Sequence, residues 1–320
     1  MLLSPDQTRS LYEHAVQNHY AILAVNADSP AAIVDCLHAA KECDAPIIIE
    51  TSLWQLQGHS FGAGDPILGM DRYLADLRVL ANHPRFAEVP VIYHTDHIKG
   101  AGTLPILKHA MKSRASSISL DSSDLTPAEN IDHLCELCDF AGSHALSATL
   151  EMEAGVDDGV TALAETKALF GEVETRHPGF LALWAPGVGT QHGLGEVNGF
   201  STTAIQEHQQ LASDLAGRPI GIALHGSSGL SNSQLADAVE SGVAKVNWSS
   251  ESLLIRSQAA ADYYRHYGER LTKEHPDFKP TAMDNGLQTY IASGYQMRVV
   301  ERIRTLNGAD FGKPFLSTLT

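Results

Sequence analysis

Short apolar runs rich in β-branched residues recur along the chain, and longer stretches between them return an apolar residue every three or four positions. The runs fall at residues 21–25 (AILAV), 46–50 (PIIIE), 90–94 (PVIYH), 117–121 (SISLD), 147–151 (SATLE), 180–184 (FLALW), 219–224 (PIGIAL) and 243–247 (VAKVN). Such runs, bounded by turn formers, read as strands. The stretches between them, PAAIVDCLHAAKEC and SQLADAVESG among them, read as amphipathic helices. Alternation of this kind predicts a parallel α/β sheet, and eight units predict closure into a TIM (β/α)8 barrel. The Gly-rich segment 52–70 (SLWQLQGHSFGAGDPILGM) is expected to be a loop lining the barrel mouth. From Ser252 onward the pattern reads as long helices with one polar loop, HPDFKPTAMDNG. The expected organisation is one domain over residues 1–320, with the barrel at about 20–255 and a helical extension at 256–320; a barrel of this kind takes about 250 residues.

Composition narrows the partners. A formal net charge of -16 makes nucleic acid or an anionic membrane a poor partner. No apolar run approaches the roughly 20 residues of a membrane span, and the first residues lack the pattern of a secretory signal. Four cysteines are too few for a disulfide framework. Cys135 and Cys138 form a C-x-x-C, but HLCELCDF follows the cap TPAEN and reads as the buried face of a helix. A cytoplasmic protein is expected.

The candidate chemistry lies at the ends of the strands. The third run leads into His94-Thr95-Asp96-His97, and Gly189-Thr190-Gln191-His192-Gly193 follows the sixth. The seventh ends in Leu224-His225-Gly226-Ser227-Ser228-Gly229, the eighth in Asn247-Trp248-Ser249-Ser250. In a β/α barrel these positions converge at one face, where active sites are built. Three imidazoles with an open position make a catalytic zinc site, so His97, His192 and His225 are the expected metal ligands; cobalt and manganese suit the same donors. The other histidines, such as His14, His59, His83, His133 and His144, have no comparable context. Glycine after two of the three histidines is expected to let the backbone approach a ligand.

With these residues in view, the chain resembles the class II, metal-dependent fructose-bisphosphate and tagatose-bisphosphate aldolases. The stretches YAILAVNADS, PVIYHTDHI, SISLDSS, LEMEAGVDDGV, GVGTQHG, IALHGSSGLSNSQL and GVAKVNWSSESLL match in the family's order over roughly residues 20–255. HTDH and LHGSSG are the specific signals. The resemblance implies that His97, His192 and His225 ligate the metal and that Asp96 is the acid/base on the substrate hydroxyl. It implies that Glu153 and Asp121 support the metal or offer it a second position, and that Asp157 or Asp158 handles a second proton transfer. Asn26 and Asn247 match residues touching substrate, and Ser52 matches a position at the mouth. It further implies a small-molecule sugar substrate and a homo-dimer or homo-tetramer. The implied reaction is reversible retro-aldol cleavage of a ketose through a metal-stabilised enediolate, and Asp96, directly before His97, is placed for the proton transfer this requires.

The chain departs from the family where phosphates are held. The family's H-G-x-Y-K segment is here His192-Gly193-Leu194-Gly195-Glu196, and its N-x-D-T-D is Asn247-Trp248-Ser249-Ser250-Glu251. The family's arginine for the far phosphate has no clear counterpart, the nearest alignment placing Gln288 there. Two unit charges 4 Å apart interact by about 1 kcal/mol in water and about 4 kcal/mol at an effective dielectric near 20, so a carboxylate at 196 disfavours a phosphate strongly. Gly193, Gly226 and Ser228 offer backbone or hydroxyl donors, and Lys99 and Arg256 are the cations within possible reach. An unphosphorylated ketol donor such as dihydroxyacetone is expected, with Glu196, Asn198, Ser249 and Glu251 accepting from its hydroxyls. Two other functions fit parts of the pattern. One is a sugar epimerase using the same metal-enediolate chemistry. The other is a non-catalytic aldolase partner subunit, a branch that Glu50-Thr51-Ser52 resembles, against which the retained histidines and Asp96 argue.

Overall fold

The computed structural model describes residues 1–99, 101–122, 124–155, 157, 159–195, 197 and 199–319. Eight parallel strands close on themselves: β1 (Ile22–Asn26), β2 (Ile47–Thr51), β3 (Val91–Thr95), β4 (Ser117–Leu120), β5 (Leu150–Glu153), β6 (Leu181–Ala185), β7 (Gly221–Leu224) and β8 (Val243–Trp248). β8 pairs with β1, so no strand edge is left open.

Within each strand successive side chains point to opposite faces. Outward residues such as Val25, Ile49, Tyr93, Met152, Trp184 and Val246 belong to the large apolar cluster shared with the helices. Inward residues fill the barrel. At its base Ile22, Ala24, Ile48, Ile92, Ala182, Ala223 and Ala244 pack with Leu11, Tyr12 and Ala15 of the helix Pro5–Gln17. That helix, opened by a capping box between Ser4 and Gln7, plugs the bottom of the barrel.

Each expected strand is present. β5 starts at Leu150 rather than 147, because the polar groups before it bond the N-terminal helix instead of a neighbouring strand. Arg9 donates to Ala148 O at 2.6 Å, Thr149 Oγ1 donates to Pro5 O at 2.7 Å, and Ser147 donates to Asp6. Two expected loops contain helices. Segment 52–70 holds the helix Leu53–Gln57, with Gln55 reaching back to the Ser52 N–H, and the start of Pro66–Ala81, capped by Asp65 with proline at its first turn. The polar HPDFKPTAMDNG stretch holds Phe278–Ala282 and the start of Asp284–Thr305. The C-terminal helices pack on the barrel through Ile291, Tyr295, Val299 and Ile303, with Tyr295 stacked on Trp248 at 5.9 Å. The helix Pro127–Ser143 buries Cys135 and Cys138, both free thiols, on its inner face. Among the described residues no helix is long and apolar enough to cross a membrane.

Candidate active site and metal centre

The three histidines meet. His97 follows β3, His192 lies beyond β6 and His225 follows β7. His97 Nε2 lies 3.0 Å from His192 Nε2 and 3.3 Å from His225 Nδ1. Nitrogens held about 2.0–2.1 Å from one ion in a tetrahedron stand about 3.3–3.4 Å apart, so these separations fit a shared cation.

The outer ring nitrogens support the same reading. His97 Nδ1 faces Asp121 Oδ2 at 3.4 Å, His192 Nδ1 faces Asp157 Oδ2 at 2.9 Å, and His225 Nε2 faces Glu151 Oε1 at 2.8 Å. A neutral imidazole donating outward presents its lone pair inward. With His97 neutral, its inward lone pair would repel those of His192 and His225 at these distances, and a cation between them removes that repulsion. The donor set therefore fits a divalent ion. Asp121 and Glu153 form a second group of possible ligands with His97, and Glu151 and Glu153 a third with His225.

Backbone conformation brings these turns together. His97 is left-handed at φ 46°, a sparsely populated conformation for a non-glycine residue. Gly226 is left-handed at φ 65°, and a Cβ there would lie 2.7 Å from Gln191 O. Glycine at this position thus admits the main chain that carries His192. Gly193, at φ 102°, has open space where a Cβ would stand, so the turn rather than crowding calls for glycine there.

Asp96 is buried beside the histidines, 3.8 Å from His97 Nε2. Its two carboxylate oxygens accept from Asn26 Nδ2 at 3.0 Å and Asn247 Nδ2 at 2.9 Å. Burial works to raise its pKa, but His97, His225, Lys245 and the Asn26 amide outweigh burial and hold it at about 2. The side-chain oxygens of Asn26 and Asn247 are themselves buried without a hydrogen-bond partner among the described residues. Each of these oxygens lacks a donor of the kind that a hydroxyl supplies.

Below Asp96 lies a charged layer that inspection of motifs missed. Lys245 Nζ donates to Glu151 Oε2 at 2.9 Å, meets His94 Nε2 at 2.9 Å and lies 3.5 Å from Glu50 Oε2. All four side chains are fully buried. Burial and the Lys245 ammonium pull His94 down to about 3, so it is neutral. Burial works to raise Glu151, but Lys245, His225 and His94 hold it well below the usual carboxylate range. Burial and the Asp96 charge raise Glu50 well above that range despite Lys245. The signal was present in the sequence: each of these residues is a titratable side chain set among apolar neighbours in a strand.

Above the histidines opens a cleft of about 300 Å³. Asn26, Ser52, Gly193, Gly226, Ser228, Asn247, Ser249 and Ser250 line it with Asp96, His97 and His192. Trp54 and Leu253, which sequence reading passed over, line it too. Asp157 does not. It accepts from the His192 N–H at 2.8 Å as well as facing the ring, so it holds the histidine. Glu251 is turned away, contrary to expectation, because its carboxylate takes the Trp248 indole N–H at 2.7 Å together with Arg298 and Arg302. Arg256 does not reach in either. It pairs with Asp35 at 2.6 Å, bonds Gln288 at 2.9 Å and stacks on Tyr295. Lys99 pairs with Asp124 at 2.9 Å. Asp158, Glu196 and Asn198 lie outside the described residues.

The sequence profile of the class-II fructose-bisphosphate aldolases matches residues 6–310. The chain belongs to this family. It is 28% identical over 276 residues to a fructose-bisphosphate aldolase of Ureaplasma parvum, covering 84% of this chain and 87% of that one. A fructose-bisphosphate aldolase of Mycoplasma pneumoniae is 28% identical over 264 residues, covering 80% and 83%. Among solved structures, the Campylobacter jejuni fructose-bisphosphate aldolase superposes with a TM-score of 0.83 at 20% identity, over 97% of this chain and 96% of that one. The YdjI aldolase of Escherichia coli K12 does so with a TM-score of 0.73 at 21% identity, over 98% and 100%. These two likenesses concern the fold. Membership makes the chain a class II aldolase, an aldehyde-lyase acting on small sugars by retro-aldol chemistry and dependent on a metal.

Proposed function

We propose that this class II aldolase cleaves a ketose whose donor half is an unphosphorylated ketol of the dihydroxyacetone type. The observation that carries the reading is the wall of the cleft, where no lysine or arginine stands among the described residues. Lys99 and Arg256 are engaged with carboxylates elsewhere, and hydroxyl-bearing and amide side chains replace them.

His97, His192 and His225 hold the metal, for which zinc suits three imidazoles. When bound, the ion supplies Lewis-acid stabilisation of the negative charge that develops on the donor half. Asp96, anionic across the neutral range and fixed by two amides, takes the proton from the hydroxyl of the carbon that becomes the aldehyde. Asn26 and Asn247 orient Asp96 through their nitrogens and accept from substrate hydroxyls through their free oxygens. Asp157 is engaged with His192, so of the two loop carboxylates Asp158 is the one assigned the second proton transfer, to the carbon left behind. Four free, buried cysteines suit a reducing cytosol, and the shared apolar cluster supports barrel and C-terminal helices acting as one unit.

One observation favours a phosphorylated donor instead. The Gly226 turn and the first turn of the helix Ser250–Tyr267 meet at the cleft, and backbone N–H groups in such places receive anions. Incubating zinc-loaded protein with free and phosphorylated ketoses, and trapping the released aldehydes, decides between them. Higher kcat/KM for free ketoses supports the unphosphorylated donor; higher kcat/KM for bisphosphates overturns it. Recovery of one isomer of unchanged mass would indicate an epimerase.

A further inference from the structure

Three tryptophans differ sharply in exposure: Trp184 and Trp248 are buried at 0% and 1%, whereas Trp54 is 56% exposed. Trp54 stands in the helix Leu53–Gln57, on the rim of the cleft, with Leu253 also on the wall. An exposed indole is a large apolar surface whose burial by a ligand is favourable.

The placement of Trp54 relative to the reacting centre follows from a chain of hydrogen bonds. Asn26 Nδ2 binds Asp96 at 3.0 Å and reaches Gln55 Oε1 at 3.5 Å. The same Gln55 oxygen accepts from the Ser52 N–H at 2.8 Å and its hydroxyl at 3.3 Å. The short helix carrying Trp54 is thereby tied to the Asp96 side of the cleft. Asp96 serves the hydroxyl of the carbon that leaves as aldehyde, so the substrate portion extending from that side is the aldehyde half.

We propose that Trp54 is a specificity-determining residue, its indole receiving an uncharged aldehyde half that ends in an apolar group such as a methyl. This deepens the aldolase reading above and rests on it. The electron-rich face of an indole favours C–H groups and disfavours a phosphate, and no cation among the described residues lines the cleft to compensate.

The test uses the zinc-loaded full chain in the synthetic direction, with dihydroxyacetone or its phosphate as donor. Lactaldehyde and glyceraldehyde 3-phosphate are compared as acceptors. In Trp54→Ala the preference for lactaldehyde falls roughly tenfold, the scale on which a pocket reads one apolar group, and Trp54→Phe restores most of it. Deuterium exchange into the donor alone reports donor binding and proton abstraction without any aldehyde, and it falls much less than the lactaldehyde reaction. Equal losses in exchange and in both aldehyde reactions, or an unchanged preference, overturn the proposal. A second measurement keeps the two readings apart. Because Trp54 dominates the emission that acrylamide can quench, 6-deoxyfructose binding shields it, whereas fructose 1,6-bisphosphate shields it less. Absence of that difference overturns the role of Trp54. Absence of donor exchange in the unaltered protein, with shielding intact, overturns the aldolase site assignment alone.

Discussion

The barrel interior has two halves of opposite character. The base is lined by Ile22, Ala24, Ile48, Ile92, Ala223 and Ala244 against the N-terminal helix. One inward position higher on β2, β3, β5 and β8 stand Glu50, His94, Glu151 and Lys245. The base needs no partner beyond close packing. The upper layer needs every partner it has, since an isolated buried charge costs several kcal/mol. The comparison separates the part of the barrel that holds the fold together from the part that fixes the reactive groups. Changes at the base should alter stability at constant chemistry, and changes above should alter chemistry first.

The largest expected effect is at the top. Asp96→Asn should lower kcat by about 10²–10⁴, the range for a general acid or base, with zinc content unchanged by elemental analysis; near-normal turnover would remove Asp96 from the reaction. Lys245→Met strips the ammonium from Glu151 and should cost about 3–5 kcal/mol in denaturant unfolding, as breaking a buried pair does. At the base, Ile48→Ala should cost about 2–5 kcal/mol and leave zinc affinity unaltered; a parallel loss of zinc affinity would abolish the division between the halves. Glu151→Gln should weaken zinc by about 10–100-fold, the usual effect of removing a carboxylate from behind a metal histidine, read by competition with a chromophoric chelator.

The smallest effect concerns pH. Glu50 has a raised pKa in the folded chain, so the native state retains a proton that the unfolded chain releases above its ordinary value of about 4.3. Stability from this group is present below that value and is lost as pH rises towards the folded pKa, by about 1.4 kcal/mol per unit. Glu50→Gln should therefore gain on the parent protein as pH rises from 5. Parallel stability profiles over that range would mean Glu50 is ionised. His94 has the opposite sign. Its folded pKa of about 3 makes stability fall as pH drops below about 6.5.

The eight strands were legible because each run is a short, largely apolar block between turn formers, and the histidines because they interrupt a pattern at its end. His97, His192 and His225 each stand beside an aspartate or a glycine, where a polar side chain has no core role. Lys245 and Glu151 were harder to read, since one charged residue inside VAKVN or SATLE does not disturb recognition of a strand. Their meaning depends on which neighbours point into the same layer, and that is set by register across the sheet. Asp157 shows a related difficulty. A carboxylate in a Gly-rich loop reads as a mobile acid, while its contact with His192 depends on how two distant turns fold together. Glu251 was misread because the arginines that claim it lie about 50 residues further along the chain.

Gly226 has a mechanical consequence. With Gln191 packed against it more closely than any side-chain carbon would tolerate, the turns bearing His192 and His225 touch through their main chains. A larger residue at 226 would have to push the His192 turn away, and the spacing of the two imidazoles would change with it.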